Sequence, residues 1–275
     1  MSTVWWLKAT FLALLLITAA FFFGTLCRQM GGAGAYQVLI PPTRKLLPLL
    51  LRLLAAVGLV TVAAGIVTAL LRPLWVACVA FALAGVAILL GWGVSRESAL
   101  LTLLFVLAAA VYAAIAQNDL RKRIAFSVRA LAQTQFILLV ALLVLAVGSF
   151  YLGYAAQIRK EGLSIPLEHR ERVANDLANR ISSGFPEAFR EGVRSVVHDQ
   201  VLDLLSVQFS KAVEPFERYI PAGFAVVLFL PLLTVTYLLA WVPALLLGAI
   251  FPLLRAVGIV KVTTEMVEVK RLAIA

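Results

Sequence analysis

The chain has two histidines, His169 and His198, and both stand in one polar stretch beside carboxylates. Glu168 and Glu171 flank the first, and Asp199 and Asp203 lie near the second. Imidazole beside carboxylate is the donor set of a zinc site or of a general acid-base pair. Neither histidine belongs to an HExxH helix, and no cysteine in the stretch completes a metal set, so the spacing directs neither chemistry. Both read as solvated residues on helix faces.

The other reactive side chains are similarly undirected. Cys27 and Cys78 form no CxxC knuckle and no disulfide framework, and the small residue that a lipoprotein signal places before its cysteine is replaced here by Leu26. No serine sits in GxSxG, and no GxGxxG or GxxxxGKT-type loop follows a strand. Gly31, Gly32 and Gly34 lie in a polar connection, where chain flexibility accounts for them. All 14 Asp and Glu residues fall outside the centres of the apolar runs. A proton-coupled transporter or an intramembrane aspartyl protease needs a carboxylate there, because a charge in hydrocarbon is retained only for function. The sequence therefore names no catalytic residue, no metal ligand and no cofactor-binding residue. The expectation is a protein that is not an enzyme and carries no cofactor.

The elements that hold these residues are dictated by solvent. Of 275 residues 63% are hydrophobic and 14% charged, and mean hydropathy is +1.00. Soluble core helices rarely contain apolar runs of about 18 residues or more, whereas a bilayer crossing needs about 20. The predicted fold class is an all-α integral membrane protein with about six transmembrane helices: Val4–Leu26, Leu46–Leu71, Pro73–Val94, Ala99–Gln117, Ala132–Ala156 and Tyr219–Ala240. The first run, with Lys8 ahead of it, reads as a retained signal anchor because several spans follow. Trp241–Leu254 stays apolar but contains Pro243 and Pro252, which suits a kinked extension, a re-entrant piece or an interfacial helix. Leu71, Arg72 and Pro73 suit a tight hairpin in which proline opens the third helix, with Ala63, Ala64, Gly65 and Gly85 allowing close packing.

The organisation is thus a five-span region over 1–156, an extramembrane helical insert over 157–218, a final span with its extension over 219–254 and a tail over 255–275. In the insert, Glu168–Ile181 carries Val173, Leu177 and Ile181 on one helical face. Ser182, Ser183, Gly184 and Pro186 then break the pattern. A second helix is expected over Glu187–Val213, with Phe189, Val193, Val196, Val197, Val201, Leu204 and Leu205 at helical spacing. So short a unit leaves an apolar stripe uncovered, which makes Phe189, Val193, Val197, Val201 and Leu204 the expected surface for a protein partner or a second copy. The tail Gly258–Ala275 alternates as a short strand or hairpin would.

The net charge is +10, and the Lys and Arg residues lie mainly at span ends and in the insert, which points to topology signals and lipid headgroups rather than nucleic acid. Arg121, Lys122, Arg123 and Arg129 are the expected contacts for anionic lipid, although topology alone accounts for such a cluster. Lys8 and Arg52 lie near enough to span ends to snorkel. Trp5, Trp6, Tyr151, Tyr154, Tyr219 and Trp241 read as interfacial anchors. Lys8, Arg72, Arg121, Lys122, Arg123, Arg129, Arg255, Lys261, Lys270 and Arg271 collect on one side, against Arg28, Arg44, Lys45, Arg52 and Arg96 on the other. The larger set predicts cytoplasmic termini and an extracytoplasmic insert.

Four segments carry a family likeness: Arg123-Ile124-Ala125-Phe126-Ser127, Phe150-Tyr151-Leu152 at a span end, Arg218-Tyr219-Ile220-Pro221 and Gly258-Ile259-Val260-Lys261-Val262. Through them the second half of the chain resembles uncharacterised multi-pass membrane proteins of candidate-phylum bacteria. The resemblance implies a bacterial cytoplasmic-membrane location and no chemistry. Two functions follow as expectations. One is a structural or partner-binding envelope component. The other is a transporter, channel or flippase-like protein for a neutral or lipid-like solute, lined by Thr61, Thr68, Thr102, Gln133, Thr134 and Gln135, although these groups can equally bond their own helices.

Overall fold

A computed structural model of the chain describes residues 3–32, 46–71, 73–122, 128–161, 167–204 and 219–256. Among these residues every regular element is an α-helix: α1 (Thr3–Met30), α2 (Leu46–Leu70), α3 (Leu74–Trp92), α4 (Arg96–Lys122), α5 (Val128–Glu161), α6 (Leu167–Ser182), α7 (Glu187–Asp203), α8 (Ile220–Leu239) and α9 (Trp241–Ala256). Six segments are long and apolar enough to cross a membrane: Trp6–Met30, Pro48–Leu70, Leu74–Trp92, Arg96–Leu120, Gln133–Arg159 and Ile220–Ala256. The chain is a multi-pass integral membrane protein. The strand or hairpin expected in the tail, and the second insert helix beyond Leu204, lie outside the described residues.

Local chemistry sets the helix ends. Pro73, in extended backbone (φ −80°, ψ 171°), caps α3 from outside and does not form its first turn. Gly93 ends α3 at φ +112°, a backbone region that side chains rarely adopt, with its N–H on the Leu89 carbonyl at 2.8 Å. The three-residue link to α4 is closed by a reciprocal serine cap. The Ser95 N–H donates to Ser98 Oγ at 2.8 Å and the Ser98 N–H to Ser95 Oγ at 3.0 Å.

The most extensive helix pair is α1 with α3, and glycine creates it. A Cβ on Gly91 would lie 2.6 Å from the Phe21 carbonyl oxygen and 2.9 Å from the Thr25 nitrogen, and a Cβ on Gly24 would collide with the Ile88 carbonyl. The two backbones are in direct contact. Lipid tails offer no hydrophobic drive for helices to associate, so close van der Waals approach through small residues must supply it. Gly31 and Gly153 repeat the device between the end of α1 and α5. Here a Cβ on Gly153 would collide with the Gly31 backbone. Gly31 is therefore a packing residue and not only a flexible link.

The packing of α2 differs from the expected tight hairpin. Gly65 faces Leu247 of α9 and the Gln135 side chain of α5, while Gly85 faces Val106 and Thr102 of α4. α2 and α3 touch little, and α1 packs against both. Such short links bring helix ends together without dictating which faces meet. α8 lies on α5, with Tyr237 edge-on to Phe136 at 6.0 Å and Phe224 edge-on to Tyr154 at 5.6 Å. The apolar stretch after it forms the separate helix α9, which places Pro243, Leu247 and Phe251 against α2 and α5. At about 1.5 Å per residue its 16 residues fall short of the roughly 30 Å hydrocarbon core.

Candidate functional site

Outside the apolar bundle, α6 and α7 form an antiparallel hairpin that packs chiefly on itself. α6 ends where the sequence runs out of helix formers. The N–H groups of Ser183, Gly184 and Phe185 fold back on Asn179, Ile181 and Ser182 at 3.1–3.2 Å. Pro186, with no N–H to give, then caps α7. Arg190 Nε donates to the Phe185 carbonyl at 2.9 Å and tightens the turn. The Asp176–Arg180 and Glu187–Arg190 pairs, at 3.8 and 3.7 Å, are exposed and hold little.

The seam of the hairpin is made of small residues. Ala174 and Ala178 are fully buried and Ser182 nearly so, with Val193, Val197 and Val201 half-buried on α7. The amphipathic face expected of α6 is displaced by one residue from this seam. Val173, Leu177 and Ile181 are 40–46% exposed, and Phe185 at the tip is equally open. Of the expected partner surface, Phe189 and Leu204 are exposed at 66% and 54%, Val193, Val197 and Val201 are partly taken up inside, and Val196 is added at 56%. Alanine wins the seam because it lets two backbones approach, and the larger residues beside it then point away. An apolar strip thus runs along α6, round the tip at Phe185 and onto α7 through Phe189 and Val196.

The charge around this strip is distinctive. Residues 167–204 contain seven acidic residues and five arginines, whereas the whole chain carries +10. Helices that lie on anionic membranes surround their apolar face with Lys and Arg. Around this strip carboxylates outnumber the arginines.

The remaining expected sites are dispersed. His198 Nδ1 is 3.3 Å from Asp199 Oδ1 on its own helix, and the side chain of His169 lies outside the described residues. No group of three His, Cys, Asp or Glu residues gathers among the described residues. Arg121, Lys122 and Arg129 stand on helices whose side chains there are outside the described set, as is Arg123 altogether. Of the aromatic anchors, Trp6, Tyr219 and Trp241 are exposed, but Tyr154 is buried and stacks on Phe150 at 5.9 Å. The Trp5 side chain lies outside the described residues.

Polar residues inside the bundle form separate pockets of contact. Thr61 and Thr134 donate to the carbonyls of Val57 and Leu131 on their own helices, at 2.7 and 3.0 Å. Gln133 is exposed. Thr102 lies by Gly85, and Thr68 neighbours the Tyr112 hydroxyl. Gln117, which the sequence shows only as the end of a span, donates from Nε2 to the carbonyls of Thr68 at 3.2 Å and Leu71 at 3.0 Å, tying α4 to the last turn of α2. Gln135 is 1% exposed beside Gly65, and among the described residues neither its Oε1 nor its Nε2 has a partner. Among the described residues the hydroxyls of Thr102 and Thr236 are likewise buried without a hydrogen-bond partner. Tyr112, Gln117 and Thr236 escaped the sequence reading, and their only signal was polarity inside an apolar run. No family model, curated protein or solved structure matches the chain.

Proposed function

We propose that this is a non-enzymatic, partner-binding component of a bacterial cytoplasmic membrane, whose spans hold the α6–α7 hairpin at the membrane's outer face for another protein or a second copy to cover. The exposed apolar strip from Val173 through Phe185 to Val196, on a hairpin with an acidic excess, carries this reading. Most helical stability in proteins comes from packing of an amphipathic face, and a two-helix seam of alanines buries little. Large exposed apolar patches in water mark interaction sites. Cytoplasmic termini follow from the distribution of Lys and Arg at the span ends, and the basic cluster at 121–129 then meets anionic headgroups of the inner leaflet.

The mass of the purified protein in mild detergent tests the reading. A homo-oligomer or a stoichiometric protein partner is expected, reduced to a monomer when residues 160–215 are removed while the remaining spans still insert. A full-length protein that purifies as a bare monomer, or a complex of unchanged size after the deletion, would refute it.

The buried amide of Gln135, without a partner among the described residues, supports a second reading, a passive path for a neutral or lipid-like solute. Flux or lipid scrambling in liposomes above empty controls would support that path, and silence across a broad solute panel would remove it.

A further inference from the structure

On the side of the bundle where α5 leads towards the hairpin, a cleft of about 520 Å³ opens between α4, α5 and α8. Its walls are almost wholly apolar and include Leu101, Val144, Val147, Gly148, Ala225 and Phe229. The volume lies within the roughly 300–1,000 Å³ typical of small-molecule sites. Val144 and Leu152, both in its lining, are separated along α5 by about 12 Å of helix at 1.5 Å per residue. That depth approaches the roughly 15 Å occupied by one leaflet of a 30 Å hydrocarbon core.

The cleft has one charged end. Arg96 and Glu97, the first residues of α4 and the start of its apolar run, stand at the rim with Tyr151. Both charged side chains are exposed. Among the described residues neither has an ion-pair or hydrogen-bond partner. A guanidinium at headgroup depth is matched by a phosphate, and a carboxylate one residue on is matched by an amine. An amphipathic ring such as Tyr151 suits the same depth.

The geometry points to a bound-phospholipid site, in which one acyl chain fills the cleft, the phosphate meets Arg96 and a primary amine on the headgroup meets Glu97. The ligand class is therefore an ethanolamine-type phospholipid of the hairpin-side leaflet. This assignment is independent of what covers the hairpin. Ala225 forms part of the wall, and a phenyl ring there would occupy space now open to the chain.

Native mass spectrometry of the full-length protein tests the site, using palmitoyl-oleoyl phosphatidylethanolamine and the matching phosphatidylglycerol as probes. The wild type is expected to retain one ethanolamine lipid under activation that strips the glycerol lipid. Ala225→Phe and Arg96→Gln are each expected to lower that retention about tenfold, and Glu97→Gln to abolish the headgroup preference. Arg96 is exposed, so Arg96→Gln keeps the test decisive if Ala225→Phe does not fold. Absence of a retained lipid in the wild type, or equal retention in wild type and Arg96→Gln, would overturn the site. Equal retention of the two lipids by the wild type would overturn the assignment of the amine.

Discussion

The bundle and the hairpin are both built on seams of small residues, yet the same device produces a complete structure in one and an open one in the other. In the bundle, Gly24 and Gly91 bring α1 and α3 into backbone contact. The larger apolar residues then face outward, among them Leu7, Leu90 and Leu100 at 66–75% exposure. Lipid is their proper environment, so outward-facing apolar surface carries no penalty. In the hairpin, Ala174 and Ala178 perform the same service for α6 and α7, and Leu177 and Phe189 are turned outward. In the extramembrane setting proposed above water surrounds that unit, and the same geometry leaves apolar surface that needs a cover. The lesson is that a helix seam is finished only with respect to its solvent.

The sharpest way to break this contrast is at the bundle seam. Gly91→Leu forces a side chain into the backbone of α1, which cannot yield as a side-chain tip would. The expected outcome is a loss of about 3 kcal/mol or failure to fold, since overpacking costs 1–3 kcal/mol and occasionally more, read as reversible unfolding in detergent. Full stability would mean that the α1–α3 contact is not the organising one.

At the hairpin the effect should fall on assembly instead. Leu177→Asp with Phe189→Asp is expected to leave the unfolding of the bundle unchanged while the complex dissociates, as observed by mass photometry. A lowered bundle stability with an intact complex would reverse the roles assigned to the two regions.

Smaller effects separate satisfied from unsatisfied amides within the bundle. Gln117→Leu removes two hydrogen bonds to the end of α2. It should cost about 1 kcal/mol, within the range measured for interhelical bonds in membranes. Gln135→Leu removes an amide with no partner among the described residues. It should be neutral or stabilising by up to about 1 kcal/mol, because a polar group replaced by an apolar one of similar shape loses nothing. A substantial loss at Gln135 would show that its amide has a bound partner, a water or a solute, and would strengthen the transport reading. Arg180→Ala should change stability by less than about 0.5 kcal/mol, as expected for an exposed ion pair, and serves as the baseline for the series.

Much of the architecture was legible because hydrocarbon imposes a length rule. All six candidate spans were readable from apolar runs, and the break at Ser183–Pro186 followed from residues that end helices. The partners of each face were not readable. Gly31 looked like part of a flexible link and is instead jammed against Gly153. Tyr154 looked like an interfacial anchor and is packed between Phe150 and Phe224. Ala20 with Gly24 and Ala87 with Gly91, each four residues apart, carried the small-residue spacing of close helix contacts. That spacing says only that some backbone will approach.

On the hairpin the seam and the apolar face differ in phase. Hydrophobicity placed Val173, Leu177 and Ile181 on one helical face, whereas the seam formed one residue later at Ala174 and Ala178. Periodicity weighs how apolar a side chain is, while close packing weighs how little room it takes.

What the sequence by itself determined was where lipid can be the solvent: six runs long and apolar enough to cross a membrane, with a charged helical stretch between the fifth and the sixth. Transfer free energy acts residue by residue along the chain and needs no knowledge of neighbours. Only the tertiary structure decided that α1 rather than α2 is the close partner of α3, that Gln117 ties α4 to α2, that α9 returns to Gly65 and Gln135, and that a cleft remains beside Arg96. Those choices depend on which backbones can touch and on what volume is left between them, and both are properties of pairs and triples of helices that no single helix contains.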